Sequence, residues 1–219
     1  MPRGKRLDVA GVAQHVIQRG NDRQACFFRD GDYARHLGIL REASLAHGCF
    51  VHAYVLMTNH VHLLMTPAHR GGVARVMQAV GRTYVRHVND SSGRTGTLWE
   101  GRYKSSLVDS EQYVLACYRY IELNPVRAVV VDGAAGHAWS SHDYNALELA
   151  NPLVSPHAIF LQIVGRAGNQ RQGLQSIHLY GQRQQRLART GSSSRSSSNW
   201  RRVAIGVPGR PRKPRPEKL

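Results

Sequence analysis

The segment Asn59-His60-Val61-His62-Leu63-Leu64-Met65 sets two histidines two residues apart among apolar neighbours. On a β-strand, alternation places both imidazoles on one face and Val61 and Leu63 on the other, so the ring nitrogens can converge on one cation. Two readings stand at this point: a metal-binding pair, or ordinary histidines near a strand end in a chain with twelve histidines. A second chemical feature is Tyr118-Arg119-Tyr120-Ile121-Glu122-Leu123-Asn124-Pro125. On a helix Tyr120 and Asn124 share a face, while Tyr118 points about 200° away. A phenol, with its pKa of about 10, is a poor nucleophile without a metal or a base, so a catalytic tyrosine has to sit beside a cation site. The plainer alternative makes Tyr120 a core-edge residue and Asn124 a helix C-terminal residue.

These residues need strands and helices to position them. Val12 to Arg19 has strand-like apolar spacing and stops at the turn signal Gly20-Asn21. Asp32 to His47 places Tyr33, Leu37, Leu40 and Leu45 at helical steps after an Asp30-Gly-Asp start and before Gly48. Cys49 to Met57 and His60 to Thr66, joined at Thr58-Asn59, read as a hairpin of two half-buried strands. Val73, Met77, Val80, Tyr84 and Val88 predict a helix over 73–89, followed by a Gly/Ser-rich loop at 90–97 and a short strand over 105–108. Asp109-Ser-Glu111 starts a helix expected from about Gln112 to Leu123, because Pro125 disfavours helix at the residue before it. The order predicts an α+β sandwich, an antiparallel sheet covered by helices on one side. The expected domain occupies residues 1–150. Residues 151–189 show no clear periodicity and read as a linker or extension, and 190–219, rich in Ser, Arg, Pro and Gly, are too poor in large apolar groups to order themselves.

The chain has 219 residues, 42% of them hydrophobic, and a formal net charge of +16. That length and apolar content support one cored domain with an extension. Residues 165–219 hold 13 Lys+Arg and one acid, so most of the charge lies in the extension. A protein this basic attracts polyanions, of which nucleic acid is the commonest and an anionic membrane surface the competitor. No stretch approaches the roughly 18 uncharged apolar residues of a membrane span, and Met1-Pro-Arg-Gly-Lys-Arg-Leu-Asp lacks the apolar core of a signal peptide, so the expected location is cytoplasmic and nucleoid-associated. Cys26, Cys49 and Cys117 form no Cys-x-x-Cys pair and read as small core residues.

Taken together, Met57-Thr-Asn-His60-Val-His62-Leu-Leu-Met65 and Tyr120-Ile-Glu-Leu-Asn124-Pro-Val-Arg-Ala128 resemble the single-tyrosine transposases of the insertion-sequence-200 type, most closely their REP-associated branch. Val16-Ile-Gln-Arg-Gly-Asn21, Ala53-Tyr-Val-Leu-Met57, Leu98-Trp-Glu-Gly-Arg-Tyr-Lys-Ser105 and Trp139-Ser-Ser141 fit the same pattern in the same order, over about residues 1–145. The resemblance implies an HUH endonuclease domain (His, hydrophobic residue, His) of ferredoxin-like form, with the His pair on a central strand and the tyrosine on a facing helix. It implies His60 and His62 as metal ligands, Tyr120 as nucleophile and Asn124 as third protein ligand, Asn standing where other branches carry Gln. The implied substrate is single-stranded DNA folded as a hairpin from a palindromic repeat, handled by a monomer or homodimer. Two imidazoles and an amide oxygen would leave open positions on a divalent ion; histidine ligation favours Mn²⁺, and cellular abundance favours Mg²⁺. The expected activity is cleavage and rejoining through a 5′-phosphotyrosine. The alternatives are a catalytically inactive regulator that binds such elements and a hydrolytic nuclease that uses water.

Arg19, Arg23, Arg102 and Lys104 are candidates to clamp the phosphate backbone, against the plainer reading of a solvated basic surface. Trp99 and Tyr103 are candidates to stack on unpaired bases, with burial as the alternative for Trp99. The tail Pro208-Gly-Arg-Pro-Arg-Lys-Pro-Arg-Pro216 resembles an AT-hook whose Gly-Arg-Pro core enters the minor groove, with Pro208 in place of the usual Arg. Arg210 and Arg212 are its candidate DNA contacts, and a basic tail of non-specific affinity is the plainer reading.

Overall fold

Four strands form the sheet: β1 (Ala13–Arg19), β2 (Cys49–Met57), β3 (His60–Pro67) and β4 (Lys104–Val108). They lie in the order β2-β3-β1-β4, and every neighbouring pair is antiparallel. With α1 (Asp30–Ala46) between β1 and β2 and α2 (Gly72–Ser92) between β3 and β4, the chain follows the β-α-β-β-α-β path of a ferredoxin-like unit. The remaining helices are α3 (Glu111–Glu122), α4 (Asn124–Arg127), α5 (His142–Leu147) and α6 (Ala158–Ala167). The computed structural model describes residues 8–169, 172–175 and 177. The expected tail over 190–219, with Arg210 and Arg212, lies outside them. No helix among the described residues is long and apolar enough to cross a membrane.

Local signals account for the element ends. The Asp32 carboxylate accepts from the Phe28 and Arg29 amides and starts α1. Ser110 Oγ accepts from the Tyr113 amide and caps α3. α2 runs past the expected end at 89 to Ser92, because Gly93, at φ 58°, supplies the left-handed stop that Asn89-Asp-Ser-Ser does not. Pro125 ends α3 as expected. The chain then makes the short α4, in whose first turn proline needs no amide partner.

Helices cover both faces of the sheet, where the sequence predicts one. Val16, Leu56, Val61, Leu63 and Met65 pack under α1 and α2 with Leu40, Val80 and Tyr84. Ala13, Ala53, Val55 and Leu64 pack on the opposite face with Val114, Cys117, Tyr118 and Ile121 of α3 and Phe160 of α6. The cause is visible in β2, which is buried along nearly all its length and not half-buried, so its second face also needs an apolar cover. Residues 151–169 are packed as well. Ser155 donates its amide to the Val51 carbonyl (2.7 Å), and Phe160 stacks on Tyr118 with ring centroids 5.0 Å apart. Cys26, Cys49 and Cys117 are buried and unpaired.

Candidate active site

The β1–β3 register sets Ile17 opposite His62 and Arg19 opposite His60. Alternation then puts His15, Ile17 and Arg19 on the same sheet face as His60 and His62, the face that α3 covers. The His60 and His62 rings are 5.0 Å apart at 88°. Tyr120 comes down onto them from α3, with its ring centroid 5.1 Å from His62 and 5.7 Å from His15. Asn124, one turn further and 8% exposed, lies within hydrogen-bonding reach of His60. The structure therefore brings His60, His62, Tyr120 and Asn124 together at one end of the α3 face, while Tyr118, on the far side of the helix, is fully buried.

Burial holds the His62 imidazole well below its ordinary pKa, helped by His15, His60 and Arg19, and lowers His60 in the same way. Both rings are thus neutral at pH 7, the state in which a histidine offers a lone pair to a metal. Among the described residues no group of three His, Cys, Asp or Glu side chains is placed to hold a metal ion. The polar side chain beside the pair is an amide, Asn124, and two neutral imidazoles with one amide oxygen would make a donor set that suits Mn²⁺ or Mg²⁺ without closing the coordination sphere. Around the tyrosine the charge is positive: the Arg127 guanidinium lies 5.5 Å over the Tyr120 ring, and Arg19 and Lys104 are exposed. Lys104 pairs with Ile17, so Lys104, Ile17 and His62 form one row across three strands.

The other candidates separate. Arg102 is exposed in the loop before β4. Arg23 is exposed in a turn where Asp22 and Arg23 both adopt positive φ, 50° and 59°. Trp99 is not placed to stack on a base: it is 6% exposed and its indole lies in the α1/α2 core, 6.0 Å from the Tyr84 ring. The bridge between Gly20 and Trp99 and the bond from the Glu100 amide to the Arg19 carbonyl tie this segment along the end of β1, with the indole inside. Tyr103 is buried in the same core.

Sequence reasoning passes over three residues that the structure places in or behind the site. His15 is buried, and its Nε2 is 3.1 Å from His62 Nδ1. Asn59 Oδ1 is 2.6 Å from His60 Nδ1. Glu122, 0% exposed, accepts from Ser141 Oγ (2.7 Å) and Asn145 Nδ2 (2.8 Å) and pairs with His142 Nδ1 (3.0 Å), which ties the end of α3 to α5. A histidine at an alternating position of β1 is the one signal that was readable, but its meaning depends on a register across 47 residues.

Known proteins share this fold and this sequence pattern. The chain is similar to a solved REP-associated tyrosine transposase bound to a REP hairpin, at 14% identity over 72% of this chain and 93% of that one, with a TM-score of 0.57. That likeness is one of fold. A Deinococcus radiodurans protein described as a candidate transposase shares 26% identity over 56% of this chain and 95% of its own, at a TM-score of 0.37. No curated protein matches. The family model "Transposase IS200 like" matches residues 8–124, a span that opens ahead of β1 and closes on Asn124, and the chain belongs to that family.

Proposed function

We propose that the protein cleaves and rejoins single-stranded DNA at hairpins of palindromic repeats, through a 5′-phosphotyrosine on Tyr120. The observation that carries this reading is the Tyr120 ring set 5.1 Å from His62, with Asn124 one helical turn away beside His60. His60, His62 and Asn124 would hold a divalent ion, Mg²⁺ or Mn²⁺, which when bound neutralises charge on the scissile phosphate. Tyr120 Oη attacks the phosphorus, the bond from phosphorus to the 3′ oxygen breaks, and that oxygen takes up a proton as the phenol loses one. The products are a 5′-phosphotyrosine and a free 3′-OH. Arg127, lying over the ring, orients the phenol. One phosphodiester has replaced another of similar energy, so the 3′-OH can reverse the attack on the same or another strand without ATP. The hairpin as partner is supported by the REP hairpin bound to the structural neighbour.

The test is incubation with end-labelled single-stranded hairpins from genomic repeats, with Mg²⁺ or Mn²⁺ and with EDTA, followed by denaturing electrophoresis. A metal-dependent covalent adduct is expected, absent in Tyr120→Phe although that variant still binds the hairpin. An adduct retained by Tyr120→Phe refutes the assignment, and tight hairpin binding without any adduct in the unaltered protein identifies a regulator instead.

A further inference from the structure

We infer that Asn59 and His15 are positioning residues that fix the proton of each site histidine on Nδ1, so that both rings face the site through an unprotonated Nε2. The inference rests on the metal reading of His60 and His62. It starts from an arrangement common to both rings: Nδ1 of His60 is 2.6 Å from Asn59 Oδ1, and Nδ1 of His62 is 3.1 Å from His15 Nε2. With both Nδ1 atoms occupied, Nε2 is the ring nitrogen that remains on each residue. A histidine's tautomer is set by the hydrogen bond its other nitrogen makes, and outer partners of this kind orient metal-binding imidazoles.

For His60 the direction of the hydrogen bond follows from the neighbours of Asn59. Its Nδ2 donates to the Arg23 carbonyl at 3.0 Å. A carbonyl only accepts, so the amide nitrogen must point to Arg23 and Oδ1 must point to His60. Oδ1 in turn only accepts, so Nδ1 of neutral His60 carries the hydrogen. The Asn59 backbone is held by the same turn, since its carbonyl accepts from the Gly20 amide at 2.9 Å, and the Thr58 carbonyl accepts from the Cys26 amide at 2.8 Å. Gly20 permits the tight turn that follows it, because a Cβ there would clash with the Gln24 carbonyl oxygen. The positive-φ pair Asp22 and Arg23 aims the Arg23 carbonyl at Asn59. Arg23 thus serves the site through its backbone, whatever its side chain does.

For His62 the partner is itself a histidine. If Nε2 of His62 is to carry a lone pair, its Nδ1 donates to His15 Nε2, and the His15 proton sits on Nδ1. The nearly parallel rings of His15 and His62, at 24°, allow that in-plane bond.

The tautomers are read directly by long-range ¹H–¹⁵N correlation spectra of the full-length, metal-free protein labelled at histidine nitrogens. Protonated Nδ1 and bare Nε2 are expected for His60 and His62, and a protonated Nε2 on either overturns the assignment for that ring. Asn59→Leu is expected to move the His60 proton toward Nε2 and to weaken Mn²⁺ binding, followed by electron paramagnetic resonance, by about 10- to 100-fold. His15→Phe is expected to do the same to His62, whereas His15→Gln, which returns an acceptor to the Nε2 position, restores affinity. Unchanged Mn²⁺ affinity in Asn59→Leu and His15→Phe refutes the positioning role. If the unaltered protein binds no Mn²⁺ at all, the metal reading fails while the tautomers remain measured, so the two failures are distinct.

Discussion

Along β3, Val61, Leu63 and Met65 enter the core under α1 and α2, whereas His60 and His62, interleaved with them, face α3. The α1/α2 face is filled mainly by apolar and aromatic side chains. The α3 face is apolar at one end, around Leu64, Val55 and Tyr118, and polar at the other, where His15, His60, His62 and Asn124 meet. The polar end is buried at His15, His62 and Asn124 and half-buried at His60, and its groups are partnered with one another. On the proposed reading, stability and chemistry are divided between adjacent residues of one strand, and that division can be tested one residue at a time.

The largest expected effect belongs to the polar end. His62→Leu removes one imidazole while keeping an apolar group of similar size, and adduct formation should fall at least about 10³-fold, which corresponds to roughly 4 kcal/mol of transition-state stabilisation. Chemical unfolding should show little change. Its neighbour Leu63, 1% exposed on the other face, should behave in the opposite way. Leu63→Ala should cost about 2–5 kcal/mol in urea unfolding, with an unaltered adduct rate for the molecules that remain folded. If His62→Leu unfolds the protein, or Leu63→Ala lowers the rate of the folded fraction, the two faces are not separable as described.

The α1/α2 face also buries a histidine, which sharpens the contrast. His36 lies among Phe27, Tyr84 and Trp99, and burial lowers its pKa to about 3. Its Nδ1 has no hydrogen-bond partner among the described residues. The unfolded chain takes up a proton there near pH 6.5 and the folded chain does not, so stability is full above pH 6.5 and is lost as pH falls toward 3. The loss attributable to His36 is about 1.4 kcal/mol per pH unit within that window. His15 and His52, both lowered to about 4 by burial, add to the acid sensitivity of the whole. Urea titrations between pH 6.5 and 4.5 should show a shallower decline for His36→Leu than for the unaltered protein. Parallel declines would mean that His36 takes up its proton in the folded state as well.

Much of this division is legible in the sequence, because the signals involved are local. The hairpin over 49–66 follows from alternation and from Thr58-Asn59, and the span of α3 follows from the Ser110 cap and Pro125. The pairing of Tyr120 with Asn124 needs helical periodicity alone. What is not legible depends on contacts far along the chain. The bond between His15 and His62 needs the β1–β3 register, and the Glu122 cluster joins α3 to residues about twenty positions later. Trp99, followed by Glu100, Gly101 and Arg102, opens a stretch with the composition of an exposed loop, yet the bridge to Gly20 turns it inward. Residues 151–169 carry weak periodicity because their one amphipathic face, Ile159, Phe160, Ile163 and Val164 of α6, spans a helix of only 10 residues, while 151–157 attach through irregular contacts such as Ser155 on Val51.

The smallest expected effect decides which face the DNA strand follows. Arg19, Lys104 and Arg127 are exposed around the site, whereas Arg82 and Arg86 are exposed on α2, across the sheet. Each phosphate contact on a single strand contributes about 0.7 to the slope of log affinity against log salt, since binding releases condensed counterions. Charge removal at a residue that touches no phosphate changes the distant field but releases no counterion, so it leaves the slope nearly unchanged. Arg19→Gln, Lys104→Gln and Arg127→Gln should therefore each lower the slope by about 0.7 in hairpin-binding titrations over a range of salt, with Arg127→Gln also slowing adduct formation because of its place over Tyr120. Arg82→Gln and Arg86→Gln remove the same charge and serve as controls, with slopes expected to match the unaltered protein. If the slope falls in the α2 variants and not in the other three, the strand runs over the α1/α2 face, and it could reach Tyr120 only at the edge of the sheet.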